Sequence, residues 1–300
     1  MAEVEALRPG AEAEVPIGAI VARGYWGTVA YRLSQDPVTI AFGVVLILIF
    51  LAAIFAPVLA PHDPYKTNMP MRLTAIGTPG FLLGGDELGR DMLTRLLYGG
   101  RVSLFMGLTP VLLALLIGGS LGVTAGFVGG KVNMGIMRVM DVFYAFPTVL
   151  LAIGLTGALG TGSRNLLIAI TVILSPPIAR VAESVTTQVR AFDFVEAARA
   201  SGADTSTIIR VHVLSNVLGP ILIYTTSLVS VSIIISAGLS FLGFGVTPPT
   251  ADWGLMLATL RTTIWANPYV AVLPGLMIFI TSMCFNLLSD GMRNAMDMRF

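Results

Sequence analysis

The feature that most constrains this chain is a series of long stretches that contain no Asp, Glu, Lys, Arg or His. These stretches lie at 37–61, 102–130, 142–163, 165–179, 213–251 and 262–289. A helix needs about 20 mostly apolar residues to cross the hydrocarbon of a bilayer. Charged residues make up only 12% of the 300 residues, against about 25% in ordinary soluble domains. The sequence therefore predicts an all-α membrane protein.

Six membrane-spanning helices are predicted. One helix each is expected for the stretches 37–61, 102–130, 142–163 and 262–289. The stretch 165–179 is short, but Arg180 and Glu183 follow it on one helical face and can pair or reach an interface, so the helix can continue past them. The stretch 213–251 is too long for one span and too short for two. It predicts one helix at about 218–240, followed by an apolar loop.

The distribution of cations predicts the orientation, because cytoplasmic segments are enriched in Lys and Arg. With the N-terminus inside, the inner segments hold the larger share of the 18 cations: Arg8, Arg23, Arg32, Lys131, Arg138, Arg180, Arg190, Arg199, Arg210, Arg293 and Arg299. Both termini are therefore expected in the cytoplasm. The polar, acidic start of the chain is unlike a signal peptide, which begins basic and then turns apolar.

This topology divides the chain into five parts. They are a cytoplasmic N-terminal tail (1–36), a first transmembrane helix (37–61), an extracytoplasmic segment (62–101), a core with five further transmembrane helices (102–292) and a cytoplasmic C-terminal tail (293–300).

The largest inner loop holds the stretch FVEAARASGADTSTIIRVHVLSNVLGPI, residues 194–221. Residues 194–201 predict a helix with small side chains on one face, and Gly202 is placed to end it. Asp204 can cap a second helix at about 205–213. Small side chains allow another surface to approach closely, so the loop is either a connector that packs on its own chain or a docking element.

The segment EAARASG, followed by HVLSNVLGPI, resembles the EAA loop of ABC-importer permeases. The resemblance implies that the loop, residues 190–217, is a cytoplasmic coupling helix that docks on a separate ATP-binding subunit. The positions that correspond to the motif, with the neighbouring cap, are Glu196, Ala197, Ala198, Gly202 and Asp204. Ser215 stands where the family usually has a proline, which could let the second helix run on into the next span.

Three further segments resemble the second permease of dipeptide and oligopeptide importers, the DppC/OppC type. They are GGDELGRDMLTRLLYGGRVSL at 84–104, AGLSFLGFGVTPPTADWGLML at 237–257 and FNLLSDGMRNAMD at 285–297. The resemblance implies a type I importer fold of six helices and an outer-surface signature made of Asp86, Gly89, Arg90, Asp91 and Arg101.

Several side-chain patterns allow more than one interpretation. The signs of Asp86, Glu87, Arg90 and Asp91 alternate at helical spacing, which predicts an ion-paired amphipathic helix on the outer surface, either a scaffold or a docking site. Gly118, Gly122 and Gly126 form a small-residue stripe that suits packing within the chain or dimerisation. Arg138 is expected to pair with Asp141, and Trp253 is expected in an outer loop at the membrane interface.

The resemblance implies a permease subunit that forms half of a pore for di- or oligopeptides. Its partners would be a second permease, two ATP-binding subunits, an extracytoplasmic solute-binding protein and the bacterial inner membrane, with no nucleic acid. The chain would be no enzyme and would hold no cofactor, because ATP and Mg²⁺ would bind to the partner subunits. Nickel chelates, glutathione and oligosaccharides are alternative solutes. A stand-alone carrier or channel, or a membrane enzyme, would need charged or catalytic groups that the central parts of the spans lack.

Overall fold

The chain folds into a bundle of helices, as seen in a computed structural model that describes residues 25–296. The parts of the expected N- and C-terminal tails at 1–24 and 297–300 lie outside the described residues. The helices are α1 (Tyr25–Leu33), α2 (Pro37–Ile54), α3 (Ala56–Leu59), α4 (Met92–Ala114), α5 (Ser120–Val128), α6 (Gly130–Tyr144), α7 (Thr148–Leu159), α8 (Ser163–Arg190), α9 (Asp193–Ala200), α10 (Thr205–Thr207), α11 (Leu214–Phe241), α12 (Trp253–Leu260) and α13 (Pro268–Met296). Short π-helical turns join α4 to α5 (Leu115–Gly119) and α10 to α11 (Ile208–Val213).

Within residues 25–296, five helical runs are long and apolar enough to cross a membrane. They are Pro37–Ile54, Met92–Val128, Ser163–Arg190, Thr205–Phe241 and Pro268–Met296, and the bent pair α6–α7 makes a sixth if it is counted as one span. The predicted class, an all-α membrane protein, is confirmed. The helix at 165–179 continues past Arg180 and Glu183, as expected.

The third predicted span is not one continuous helix. α6 ends at Tyr144, α7 begins at Thr148, and the two meet at an angle of 88°. Pro147 has an extended ψ of 125°. Proline disfavours helical geometry in the residue before it, here Phe146, and has no N–H to continue the ladder of hydrogen bonds. The prediction of one helix over 142–163 was therefore wrong, because the absence of charged residues does not reveal where a proline interrupts a helix.

The second span starts earlier than the charge-free stretch from 102 suggested. α4 begins at Met92, directly after Asp91, whose carboxylate accepts hydrogen bonds from the Thr94 N–H at 3.1 Å and from the Thr94 hydroxyl at 2.6 Å. This N-cap satisfies a free amide of the first turn. Arg95 lies at the start of α4 and is buried. The helix therefore contains a cation, although the predicted span was limited to residues without charge.

The glycine stripe packs within the chain. A Cβ atom on Gly118 would collide with the carbonyl oxygen of Ser175, and a Cβ atom on Gly122 would collide with that of Ala179. A Cβ atom on Gly126 would come within 2.6 Å of the carbonyl oxygen of Glu183. These carbonyls all belong to α8, so the stripe permits α8 to touch the backbone of α5 and of the π-helical turn before it.

An ion pair joins α8 to α6 next to this contact. The guanidinium of Arg180 donates to the carboxylate of Asp141. The expected pair of Arg138 with Asp141 is not found among the described residues, because Asp141 faces α8 instead. Glu183, one turn after Arg180, accepts a hydrogen bond from the Asn133 amide at 2.6 Å.

Candidate functional site

The loop between α8 and α11 forms a compact pair of helices. α9 ends at Ala200, and Gly202 follows with a φ of +83°. The Gly202 N–H donates to the Arg199 carbonyl and the Ala203 N–H to the Ala198 carbonyl, both at 3.1 Å. This pair of bonds is a Schellman motif. The motif requires one residue in the left-handed conformation, which glycine adopts without steric cost. The predicted end of the first helix at Gly202 is confirmed.

Asp204 caps the second helix, as its position predicted. Its carboxylate accepts from the N–H groups of Ser206 at 3.1 Å and Thr207 at 3.3 Å. The hydrogen bond from the Thr207 hydroxyl is the largest of several that lower the pKa of the Asp204 carboxyl. From Thr205 the helix runs without interruption to Phe241. The Ser215 hydroxyl bonds back to the Val211 carbonyl at 2.8 Å, so the absence of a proline at 215 leaves the run unbroken.

One side of this helical pair is fixed to the membrane bundle. Val195 of α9 is 1% exposed, and it packs in an apolar cluster with Val123 and Phe127 of α5, Ala182 and Val189 of α8, and Ile208, Val213, Val217 and Ile221. This cluster contains residues of both neighbouring spans. α9 is therefore joined to α5, α8 and α11 through packed side chains.

The other side of α9 is open to solvent, and we call it the α9 surface: Phe192, Phe194, Glu196, Ala197, Arg199 and Ala200. Two of its members, Ala197 and Ala200, are small, and Glu196 is acidic. Phe192 and Phe194 are exposed, and their ring centroids lie 5.8 Å apart. Ala198, by contrast, is half-buried against the apolar cluster. The surface offers a shallow, small-residue patch beside two aromatic rings, with Glu196 in the first helical turn.

The outer-signature residues form a buried ion network instead of an exposed helix. Arg90 Nε lies 2.6 Å from Asp86 Oδ2, and Arg95 Nε lies 3.2 Å from the same oxygen. Arg90 Nη2 also lies 2.7 Å from Glu87 Oε1. Residues 86–91 are a turn before α4, and Asp86 and Arg90 are 1% and 5% exposed. The expected outer-surface amphipathic helix was therefore wrong in shape and exposure, although its ion pairing is confirmed.

The network joins three segments of the chain: the residues around His62, the turn at 86–91 and the start of α4. His62 Nδ1 lies 3.3 Å from Asp91 Oδ2, and Arg95 Nη1 donates to the Pro64 carbonyl at 3.2 Å. Gly89 has a φ of +71°, and a Cβ there would collide with the backbone of Asn68. Arg101 lies apart from this group: it is exposed, and its guanidinium sits 5.9 Å from the ring centroid of Tyr98.

A second buried polar group was missed from sequence. The Ser103 hydroxyl donates to Asp252 Oδ1 at 2.7 Å, and the Trp253 N–H donates to the Ser103 oxygen at 3.0 Å. Burial raises the pKa of the Asp252 carboxyl, against an opposing effect of the Ser103 hydrogen bond. Trp253 is 1% exposed, and its indole N–H donates to the Leu96 carbonyl at 3.0 Å. The expectation of an interfacial Trp253 was wrong, because the ring fills the space over Gly99 and Gly100 of α4.

Metal-ligating side chains do not cluster within residues 25–296: no group of three or more His, Cys, Asp and Glu side chains is arranged to hold an ion there.

Two family matches cover most of the chain. Residues 118–300 match the family described as binding-protein-dependent transport system inner membrane component, and residues 24–75 match the N-terminal transmembrane domain of oligopeptide transport permease C. The first match spans more than half of the chain. The chain therefore belongs to the binding-protein-dependent transport system inner membrane component family, and the resemblance seen in the four sequence segments is confirmed.

The relatives are transport permeases of similar length. The glutathione transport system permease protein GsiD of Pectobacterium atrosepticum is 37% identical over 91% of this chain and 90% of that protein. The di/tripeptide transport system permease protein DppC of Pseudomonas aeruginosa is 40% identical over 84% of this chain and 85% of that protein. The probable D,D-dipeptide transport system permease protein DdpC of Escherichia coli is 34% identical over 89% of each.

A solved structure shares the fold. A chain of the MetNI methionine ABC transporter in an inward-facing conformation aligns with a TM-score of 0.57 and 19% identity. The alignment covers 68% of this chain and 97% of that chain.

Proposed function

We propose that this chain is one of two permeases that enclose the translocation pathway of an ATP-driven peptide importer, and that the α9 surface docks on a separate ATP-binding subunit. The observation that carries the proposal is the construction of α9. One face is packed into a cluster shared by three spans, and the other face presents small exposed side chains. A helix built in this way can receive a displacement from a partner and pass it to the membrane bundle.

The proposed orientation of the chain in the membrane also follows from α9. α9 joins the ends of α8 and α11, so a cytoplasmic ATPase requires this end of the bundle to face the cytoplasm. If α6–α7 crosses as one bent span, the six crossings place both chain termini on that side. The enrichment of Lys and Arg in the corresponding segments supports this orientation. The buried network around Asp86 and the Asp252 cluster then belong to the extracytoplasmic end, where a solute-binding protein delivers its cargo.

Peptides are the proposed solutes because the relatives are named as permeases for di- and tripeptides, D,D-dipeptides and glutathione. ATP hydrolysis is assigned to the partner subunits, and this chain supplies the pathway and the mechanical contact.

A bulky substitution on the α9 surface tests the proposal. Ala197 is exposed on α9, and Ala197→Trp removes the close approach that a small side chain allows, without crowding the apolar cluster. The matched control is Ala30→Trp, because Ala30 is also exposed on a short helix proposed to lie on the cytoplasmic side.

The readouts are membrane insertion, copurification of the ATP-binding subunits and ATP-dependent uptake of radiolabelled trialanine by the assembled importer. We expect both variants to insert normally and only Ala197→Trp to lose the ATPase and the uptake. Normal copurification and uptake with Ala197→Trp would contradict the docking role of α9.

A further inference from the structure

An open groove of about 450 Å³ lies at the periphery of the bundle, between α2 and α4. Only three of the 18 residues of α2 are buried, so this helix stands at the edge of the bundle. The lining of the groove is apolar except for one hydroxyl and one guanidinium, and it includes Ile54 of α2 and Leu104, Phe105, Leu108 and Leu112 of α4. Ile54, Phe105 and Leu112 are each more than half exposed. The groove therefore opens toward whatever surrounds the bundle in the membrane.

A single cation stands at one end of this groove. Arg101 lines the groove together with Ile54 and is exposed. Within residues 25–296, no carboxylate forms an ion pair with its guanidinium, which lies 5.9 Å from the ring centroid of Tyr98. The buried network around Asp86 takes its cations from elsewhere in the segment. The Arg101 guanidinium is therefore available to an anionic group from outside the chain.

The length of α2 sets the depth of Arg101 in the membrane. α2 has 18 residues, which correspond to about 27 Å of helix and nearly match the roughly 30 Å of hydrocarbon in a bilayer. The two ends of α2 therefore lie near the two edges of the hydrocarbon. Ile54 is the last residue of α2 and lines the groove with Arg101. The guanidinium is thus placed near one edge of the hydrocarbon, where the lipid headgroups begin.

The groove extends over one leaflet of the bilayer. Its α4 residues, from Arg101 to Leu112, follow one another at spacings of three and four and so share one helical face. Leu112 lies 11 positions after Arg101, which corresponds to about 16 Å of helix and to about half of the hydrocarbon thickness. A groove that runs from the headgroup edge to the centre of the bilayer suits one acyl chain. A helix of a second subunit would instead cross both leaflets.

We propose that this groove binds an anionic phospholipid, with an acyl chain along Phe105 and Leu108 and the headgroup phosphate on Arg101. The planar guanidinium can donate two parallel hydrogen bonds to phosphate oxygens. An unpaired cation favours an anionic headgroup over a zwitterionic one, because the ammonium of a zwitterionic headgroup already offsets the phosphate charge. The inference goes beyond the proposed function and does not depend on it, since it requires only that α2 and α4 cross a bilayer.

Photolabelling by lipid tests the site. The chain is reconstituted, with the subunits that accompany it on purification, in vesicles of equal parts phosphatidylglycerol and phosphatidylcholine. One of the two lipids carries a diazirine at the end of an acyl chain, and the labelled peptides are mapped by mass spectrometry. We expect the phosphatidylglycerol probe to label residues 108–112 about fivefold more than the phosphatidylcholine probe, equivalent to about 1 kcal/mol for one cation near anionic lipid. Equal labelling by the two probes would overturn the site, and so would an absence of labelling by both, which would show that protein covers the groove.

Substitutions at Arg101 separate a specific site from bulk lipid. Arg101→Gln should make the labelling by the two probes about equal, and Arg101→Lys, which keeps the charge, should retain most of the preference. Arg261→Gln is the matched control, because Arg261 is also exposed and lies 5.5 Å from the ring centroid of Phe241 but does not line this groove. It should leave the preference unchanged. An unchanged preference with Arg101→Gln, or an equal loss with Arg261→Gln, would overturn the site.

A variant that fills the groove keeps the test decisive if Arg101→Gln assembles poorly. Leu108 is half-buried in the groove wall, and Leu108→Trp occupies the space of the acyl chain while it leaves the cation in place. We expect this variant to lose most of the labelling by the phosphatidylglycerol probe. Labelling equal to that of the unmodified chain would contradict binding of the acyl chain in the groove.

Discussion

Replacing Gly202 by Val tests whether α9 docks on the ATP-binding subunit or only connects α8 to α11. Gly202 has a φ of +83°, and no atom lies within 4 Å of the position that a Cβ would take. The substitution therefore introduces backbone strain without a collision. The left-handed conformation costs a non-glycine residue about 1–2 kcal/mol. Either the turn keeps this strain, or it relaxes by breaking the two Schellman hydrogen bonds and rotating α9 away from α10.

If docking requires the native orientation, the cost of restoring it weakens ATPase binding. A penalty of about 1–2 kcal/mol corresponds to roughly a 5- to 30-fold change in an equilibrium constant. The variant should reach the membrane at near-normal levels, copurify less ATP-binding subunit and import less solute for each ATP hydrolysed. Quantitative blotting, titration with the purified ATPase and coupled uptake measurements give these quantities.

Gly243 offers a matched control at the opposite end of α11. It has a φ of +86° and open space where a Cβ would lie, with no atom within 4 Å. It also has the same motif: its N–H donates to the Ser240 carbonyl at 3.1 Å and the Phe244 N–H to the Leu239 carbonyl at 2.9 Å. Gly243→Val should lower thermal stability as much as Gly202→Val and leave ATPase binding intact. Equal ATPase binding by the two variants would refute the reasoning.

Three further predictions follow from the described contacts. Glu196→Lys, which places a cation in the first turn of α9 and opposes the helix dipole, should reduce ATPase copurification without reducing membrane insertion. Gly122→Leu should destabilise the detergent-solubilised chain by about 1–3 kcal/mol through overpacking against Ala179, whereas Gly154→Leu, with open space around it, should not; equal thermal midpoints would contradict this packing. For Asp252, the folded pKa is raised by burial, so its stabilising contribution is complete below the unfolded pKa of about 3.9 and is lost as the pH rises through the folded value. The thermal midpoint should fall with rising pH in that window, and Asp252→Asn should flatten this dependence.

Local features of the sequence predicted local features of the structure. The end of α9 at Gly202 and the cap at Asp204 depend on residues two to five positions apart, which the sequence shows directly. The run-on of the helix past Ser215 follows in the same way from the absence of a proline. The family resemblance was visible because four motifs keep their order and spacing.

Tertiary pairing could not be predicted in this way. Asp86 and Arg90 do pair at close spacing, but the adjoining start of α4 is also bonded to residues that are distant in sequence: Arg95 to the Pro64 carbonyl and Thr94 to the His62 N–H. Asp141 was assigned to Arg138, its neighbour on the helix, and instead binds Arg180 on another helix. The break at Pro147 could have been predicted from the sequence, because this proline lies inside the stretch 142–163. It was missed because charged residues alone defined the limits of each predicted span.

The uninterrupted helix from Thr205 to Phe241 has a mechanical consequence. Its 37 residues correspond to about 55 Å at 1.5 Å per residue, and its far end adjoins the loop before Asp252. A tilt of about 10° about the α9 end displaces the far end by roughly 10 Å. A small tilt at the α9 end would thus become a large displacement at the opposite end of the helix, because every residue between the two ends is helical.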